Sequence, residues 1–175
     1  DPYYIHYGRI DLSGKNLVWL TKGDGTHQVQ WSPDRRFLID SWSRVDLPFI
    51  HQLRNSVDGS LICDLERSDW TNLKVLGWSV PERFMSLGRD KETKIYGLIW
   101  RPTNFDKDKK YPIIEHIYAG PHSAFVPKKF HIHYQQQAMA ELGFIVVQID
   151  GMGTNWRSKH FHDYCWQNLK DAGFP

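Results

Sequence analysis

The sequence predicts a mixed fold in two parts: antiparallel blades of the β-propeller kind, then an α/β unit built on a strand, helix, strand succession. Three observations carry this prediction. Residues 1–66 contain an internal repeat, residues 66–81 lose its alternation, and the remainder changes to two strand patterns around a helical one, the second strand nearly all apolar.

The repeat can be followed letter by letter at an offset of 45 residues. Tyr4-Ile5-His6 returns as Phe49-Ile50-His51, Arg9 as Arg54, Ser13-Gly14 as Asp58-Gly59, and Leu17 and Leu20 as Ile62 and Leu65. A period of ~40 to 50 residues made of short strands marks propeller blades. Strands are expected over Tyr3–Asp11 and Asn16–Thr21 on either side of the Ser13-Gly14 turn. A third is expected over Val29–Ser32, leaving through Pro33-Asp34. Phe37–Ser43 follows, and Pro48–Arg54 and Ser60–Glu66 close a hairpin around Asp58-Gly59. This is half a blade and then a whole one, with a small antiparallel sandwich or meander as the plain alternative. A closed propeller needs at least ~4 blades, so residues 1–68 read as part of a longer one.

Asp69, Asn72, Gly77 and Pro81 interrupt the next stretch, and residues 69–81 read as a linker. Beyond it, in 82–175, Arg83–Leu87 and Lys94–Trp100 are expected strands joined by Gly88–Lys91, with Ile95, Gly97 and Ile99 alternating against Tyr96 and Leu98. Asn104–Lys110 is a charged, solvated loop. Lys110–Tyr118 reads as a strand, with Ile113, Ile114 and Ile117 suited to a sheet interior and Ala119-Gly120-Pro121 ending it sharply. Tyr118 thereby falls at the carboxyl end of a strand, where open α/β sheets place their ligands.

A helix is expected over His131–Leu142, with Ile132, Gln136, Met139 and Leu142 at helical spacing and Gly143 as a left-handed cap. Strand Phe144–Asp150 follows at once, so that the strands on either side of the helix should pair in parallel. Phe161, Cys165 and Leu169 mark a second helix ending near Gly173.

Composition excludes several roles. With 22 basic and 20 acidic residues interspersed, the chain has no basic stripe for nucleic acid. Its longest apolar run, Phe144–Val147, is far short of the ~20 residues of a membrane span. The sequence opens at Asp1 with neither a basic nor an apolar leader region, so any export signal is expected to be removed or to lie outside these residues. Cys63 and Cys165 are expected to be two buried thiols rather than a disulfide.

From Lys110-Tyr111-Pro112-Ile113-Ile114 through Tyr118-Ala119-Gly120-Pro121 and a helix to Ile149-Asp150-Gly151-Met152-Gly153-Thr154, the chain resembles the opening of the α/β-hydrolase domain of the prolyl oligopeptidase family, in its dipeptidyl peptidase IV branch. Trp31-Ser32-Pro33-Asp34 and its surroundings resemble the end of that family's propeller. The resemblance implies a serine exopeptidase that releases amino-terminal dipeptides, commonly after proline, with no cofactor and with a peptide as substrate. It implies for Tyr118 the role of an oxyanion donor, a fixed phenol aimed where charge grows on the scissile carbonyl oxygen. It also favours a periplasmic or extracellular location. Met152 stands where the branch often carries a basic residue. As a nucleotide-binding fingerprint the same turn fails, because Trp156 occupies the position of the third glycine.

No G-x-S-x-G elbow occurs in the 175 residues, so nucleophile, acid and base are expected outside them and this chain alone is expected to be inert. Ser158, His160, His162 and Asp163 do not make a triad, since their spacing puts Ser158 and His162 on adjacent helical turns; they read as surface and capping residues. The pairs His131/His133 and His160/His162 are spaced so that their side chains diverge on a helix, and no metal site is expected. The rival to the peptidase reading is a binding module whose exposed sheet edge recruits a partner or a second copy of the chain.

Overall fold

Burial alternates residue by residue along β5 (Leu47–Asn55), as a strand with one face in a core requires. In the computed structural model, which describes residues 1–170, β5 lies in a four-stranded antiparallel sheet of order β3-β4-β5-β6, with β3 at Thr26–Trp31, β4 at Phe37–Arg44 and β6 at Leu61–Arg67. Its register sets Thr26 opposite Ser43, Phe37 opposite Asn55 and Leu53 opposite Cys63. The turn between β3 and β4 is tied by its own side chains: Ser32 Oγ donates to Asp34 at 2.7 Å and accepts the Phe37 N–H at 3.0 Å. The Ser32 hydroxyl and Arg36 hold the Asp34 carboxyl down at about 2.

The earlier hairpin is much shorter than expected. β1 (Gly8–Arg9) and β2 (Val18–Trp19) form a ribbon of two-residue strands, because a pair without a third strand has little to hold its outer residues in a ladder. Those outer residues bond elsewhere: the Tyr7 N–H to Thr21 Oγ1 at 2.9 Å, and the His27 N–H to the Ile5 carbonyl at 3.0 Å.

Two compact units make up the described chain. The first is Tyr4–Leu73 with Lys128–His131. Its apolar core includes Leu20, Leu38, Val45 and Ile50, and among them lies a buried polar chain. His27 Nδ1 is 2.7 Å from Asp40 Oδ1, the Arg54 Nε–H donates to Asp40 Oδ2 at 3.0 Å, and Arg54 Nη2 donates to Gln52 at 2.6 Å. A carboxylate that is fully buried survives because two partners neutralise and bond it. Phe130 joins this unit, its N–H donating to Ser43 Oγ at 3.2 Å and its ring meeting Trp70 edge-on at 5.8 Å.

The second unit takes Asp1–Tyr3, Lys74–Pro127 and the chain from Ile132 on. It is built on a mixed sheet of order β7-β8-β10-β9, with β7 at Glu82–Leu87, β8 at Lys94–Trp100, β9 at Ile113–Glu115 and β10 at Ile145–Ile149. Only the pair joined through the helix, β9 and β10, is parallel. Trp100, Leu98, Val146, Ala140 and Phe161 are buried in it.

Several elements stop earlier than their apolar spacing suggests. The strand expected over Lys110–Tyr118 keeps its ladder only through Glu115, with one further bond from the His116 N–H to the Val147 carbonyl at 2.8 Å, and Ile113 is exposed at this edge. α2 is Gln135–Ala140 rather than His131–Leu142, with Gly143 past its end at φ 96°, a left-handed turn that suits glycine. Its buried residues are Gln136 and Ala140, with Tyr134 buried at the N-cap, whereas Ile132 and Leu142 are exposed. α3 ends at Asp163 (Lys159–Asp163), and Leu169 is exposed; the expected end near Gly173 lies outside the described residues. The linker stretch contains a single helical turn, α1 (Thr71–Val75). Cys63 is exposed on β6, contrary to expectation, because the outer strand has no partner beyond it in the described sheet; Cys165 is buried.

No helix among the described residues is long and apolar enough to cross a membrane.

Candidate functional site

β9 delivers the chain to Tyr118, whose side chain is 53% exposed and whose hydroxyl has no hydrogen-bond partner among the described residues. A phenol held in that way is a donor without an assigned acceptor. Two rings hold it. Phe125 lies against it with centroids 4.4 Å apart, and His122 meets it edge to face at 5.5 Å; His122 and Phe125 also touch, at 5.3 Å. Aromatic contacts of this kind are worth about 0.5–1.5 kcal/mol each beyond burial.

The loop that carries these rings is bolted at four backbone positions. The Pro121 carbonyl lies 2.9 Å from His162 Nε2, and the Ser123 carbonyl accepts the Asn155 N–H at 3.1 Å. The Phe125 carbonyl accepts from Gln148 Nε2 at 3.0 Å, and Gln148 in turn accepts from Gln136 Nε2 at 2.7 Å. The Asp150 carboxylate takes the Phe125 N–H on Oδ1 at 2.7 Å and the Val126 N–H on Oδ2 at 3.0 Å. Hydrogen bonds to an ionised acceptor contribute about 1.5–3 kcal/mol, so Asp150 is a strong anchor.

The sequence directs attention to Tyr118 but not to Gln148, Asp150, His122 or Phe125. One signal for the first two was present. Gln148 and Asp150 are the polar letters of an otherwise apolar strand, spaced two apart and therefore on one face. Both are buried. Ser158 is the N-cap of α3, accepting the Phe161 N–H at 3.2 Å, while His162 reaches Pro121 and so is more than a surface residue. Among the described residues no cluster of three or more His, Cys, Asp or Glu could hold a metal ion. A separate hollow of about 460 Å³ is lined by Phe84, Ile95, Val147, Ile149, Met152 and Tyr164 among others, and none of the Tyr118 ring cluster lines it.

Comparison with known proteins shows what the chain as a whole is similar to. Residues 130–175 match the model of the prolyl oligopeptidase family. The chain is 42% identical over 172 residues to a probable dipeptidyl-aminopeptidase B of Arthroderma otae, covering 96% of this chain and 19% of that protein. It is 50% identical over 159 residues to a probable dipeptidyl-aminopeptidase B of Coccidioides posadasii, covering 89% of this chain and 17% of that protein. Its fold superposes on the crystal structure of Porphyromonas gingivalis dipeptidyl peptidase 4 with a TM-score of 0.79 and 20% identity, over 98% of this chain and 24% of that one. By these matches the chain is similar to members of the prolyl oligopeptidase family. Within it, the similarity is to dipeptidyl peptidases, and the chain spans about a fifth of the length of the relatives it matches.

Proposed function

We propose that this chain is part of a serine dipeptidyl peptidase that releases amino-terminal dipeptides through an acyl-enzyme. In this reading β1–β6 are propeller blades, β7–β10 begin an α/β-hydrolase sheet, and the nucleophile, its base and its acid lie outside these residues. Tyr118 supplies the oxyanion donor.

The observation that carries the reading is the half-exposed side chain of Tyr118, beyond the end of a parallel strand on a loop anchored from β10. As the scissile carbonyl becomes tetrahedral, negative charge gathers on its oxygen. A donor already in place stabilises that charge without reorganising, and it acts on the transition state more than on the bound peptide.

The test is hydrolysis of a Gly-Pro amide, together with labelling by a fluorophosphonate, in the full-length protein and in residues 1–175 alone. The full-length protein should label once and turn over, and Tyr118→Phe should lower kcat by about 10²–10³-fold with KM little changed. Residues 1–175 should neither label nor turn over. An unaltered kcat in Tyr118→Phe would remove the oxyanion assignment, and turnover by the isolated chain would remove the placement of the nucleophile.

A further inference from the structure

We infer that Asp150 is a positioning residue for Tyr118, acting through the backbone of Phe125; the inference rests on the oxyanion reading of Tyr118. Phe125 is the ring in closest centroid contact with Tyr118, and its own main chain is held from both sides by β10 and its end, with N–H on Asp150 and C=O on Gln148. Asp150 also takes the next N–H along, that of Val126. Two successive backbone donors aimed at one fully buried carboxylate fix both the place and the orientation of the peptide between them, and so the direction from which the Phe125 ring meets Tyr118.

The carboxylate meets both donors, one on each oxygen. An amide in its place presents one oxygen and one N–H group, so one of the two backbone N–H groups would face another donor. The strand beneath is regular, paired on both sides and buried at alternate residues, so this mismatch is relieved by movement of the loop rather than of β10. Tyr118 follows its ring partner. A donor misplaced by about 1 Å loses on the order of 10²-fold in rate, and the loss appears in kcat because substrate binding does not use the oxyanion contact.

The experiment is a double-mutant cycle in the full-length protein, reading kcat and KM separately. Asp150→Asn should lower kcat by about 10- to 100-fold with KM nearly constant. In a Tyr118→Phe background the same substitution should change kcat less than about twofold, because the donor it positions is already gone. If the two losses multiply, or if Asp150→Asn leaves kcat intact, Asp150 does not act through Tyr118. If Tyr118→Phe alone has no effect, the oxyanion reading fails first and can be recognised as such. Should Asp150→Asn not fold, Phe125→Leu decides: it removes the ring but keeps the carboxylate clamp. It should lower kcat in the native background only, and a loss that persists beside Tyr118→Phe overturns the proposal.

Discussion

The rings of Tyr118 and His122 meet edge to face, 5.5 Å between centroids, across Gly120. A Cβ at Gly120 would stand 2.5 Å from Tyr118 Cε1 and 2.8 Å from His122 Cε1, closer than real carbon contacts allow. The glycine is needed for space and not for its backbone angle, since its φ is not in the left-handed region.

Gly120→Ala is therefore expected to push the two rings apart while leaving the fold stable. On the proposed peptidase reading, kcat of the full-length protein should fall by roughly 10²-fold with little change in unfolding midpoint. Gly143→Ala should do the reverse. Nothing lies within 4 Å of a Cβ there, but φ is +96°, so the cost is about 1 kcal/mol of stability and none of the rate. Steady-state kinetics and urea midpoints on the two variants check both expectations.

The buried Asp40 of β4 serves two partners at once, His27 at 2.7 Å and Arg54 at 3.0 Å. Removing its charge leaves the Arg54 guanidinium inside the sheet with only the neutral oxygens of Gln52 and Gly59. Asp40→Asn is expected to cost about 3–5 kcal/mol, and Arg54→Met a similar amount, since each strands the other half of the pair. The double variant should cost clearly less than the sum. Denaturant midpoints of the three proteins decide the matter, and strictly additive losses would mean the pair is not coupled.

Sequence patterns located the strands β3 to β8 within a few residues because their alternation records burial directly, as along Leu47–Asn55. They overextended α2 and α3 because Leu142 and Leu169 fall at helical spacing in segments that have already turned away, and spacing alone does not reveal where a backbone ladder stops. The position of Tyr118 past the end of a strand was legible from the sequence. Its surroundings were not, because they depend on bonds between residues 24 and 25 apart, from Phe125 and Val126 to Asp150, which no local pattern encodes. Gln148 interrupts the apolar run and Asp150 ends the strand. They are in fact the buried polar positions that hold the loop.

Burial also sets the last expectation, for alkaline pH. Tyr3 is buried in the second unit, with the Arg157 guanidinium 5.5 Å from its ring centroid, and its phenol is raised above the ordinary 10.0 first by desolvation, against which the nearby Arg157 cation acts. The Asp150 charge adds to the rise. A raised phenol means that the folded protein holds the proton more tightly than the unfolded chain. The stability this contributes is complete below pH 10.0 and is lost as the pH climbs through the higher folded value. Tyr3→Phe should therefore remove one late step from the phenolate absorbance titration of the eight tyrosines and make the alkaline fall in unfolding midpoint shallower. A late step that persists in Tyr3→Phe would assign it to another tyrosine, and the burial of Tyr3 would then have no part in the alkaline limit.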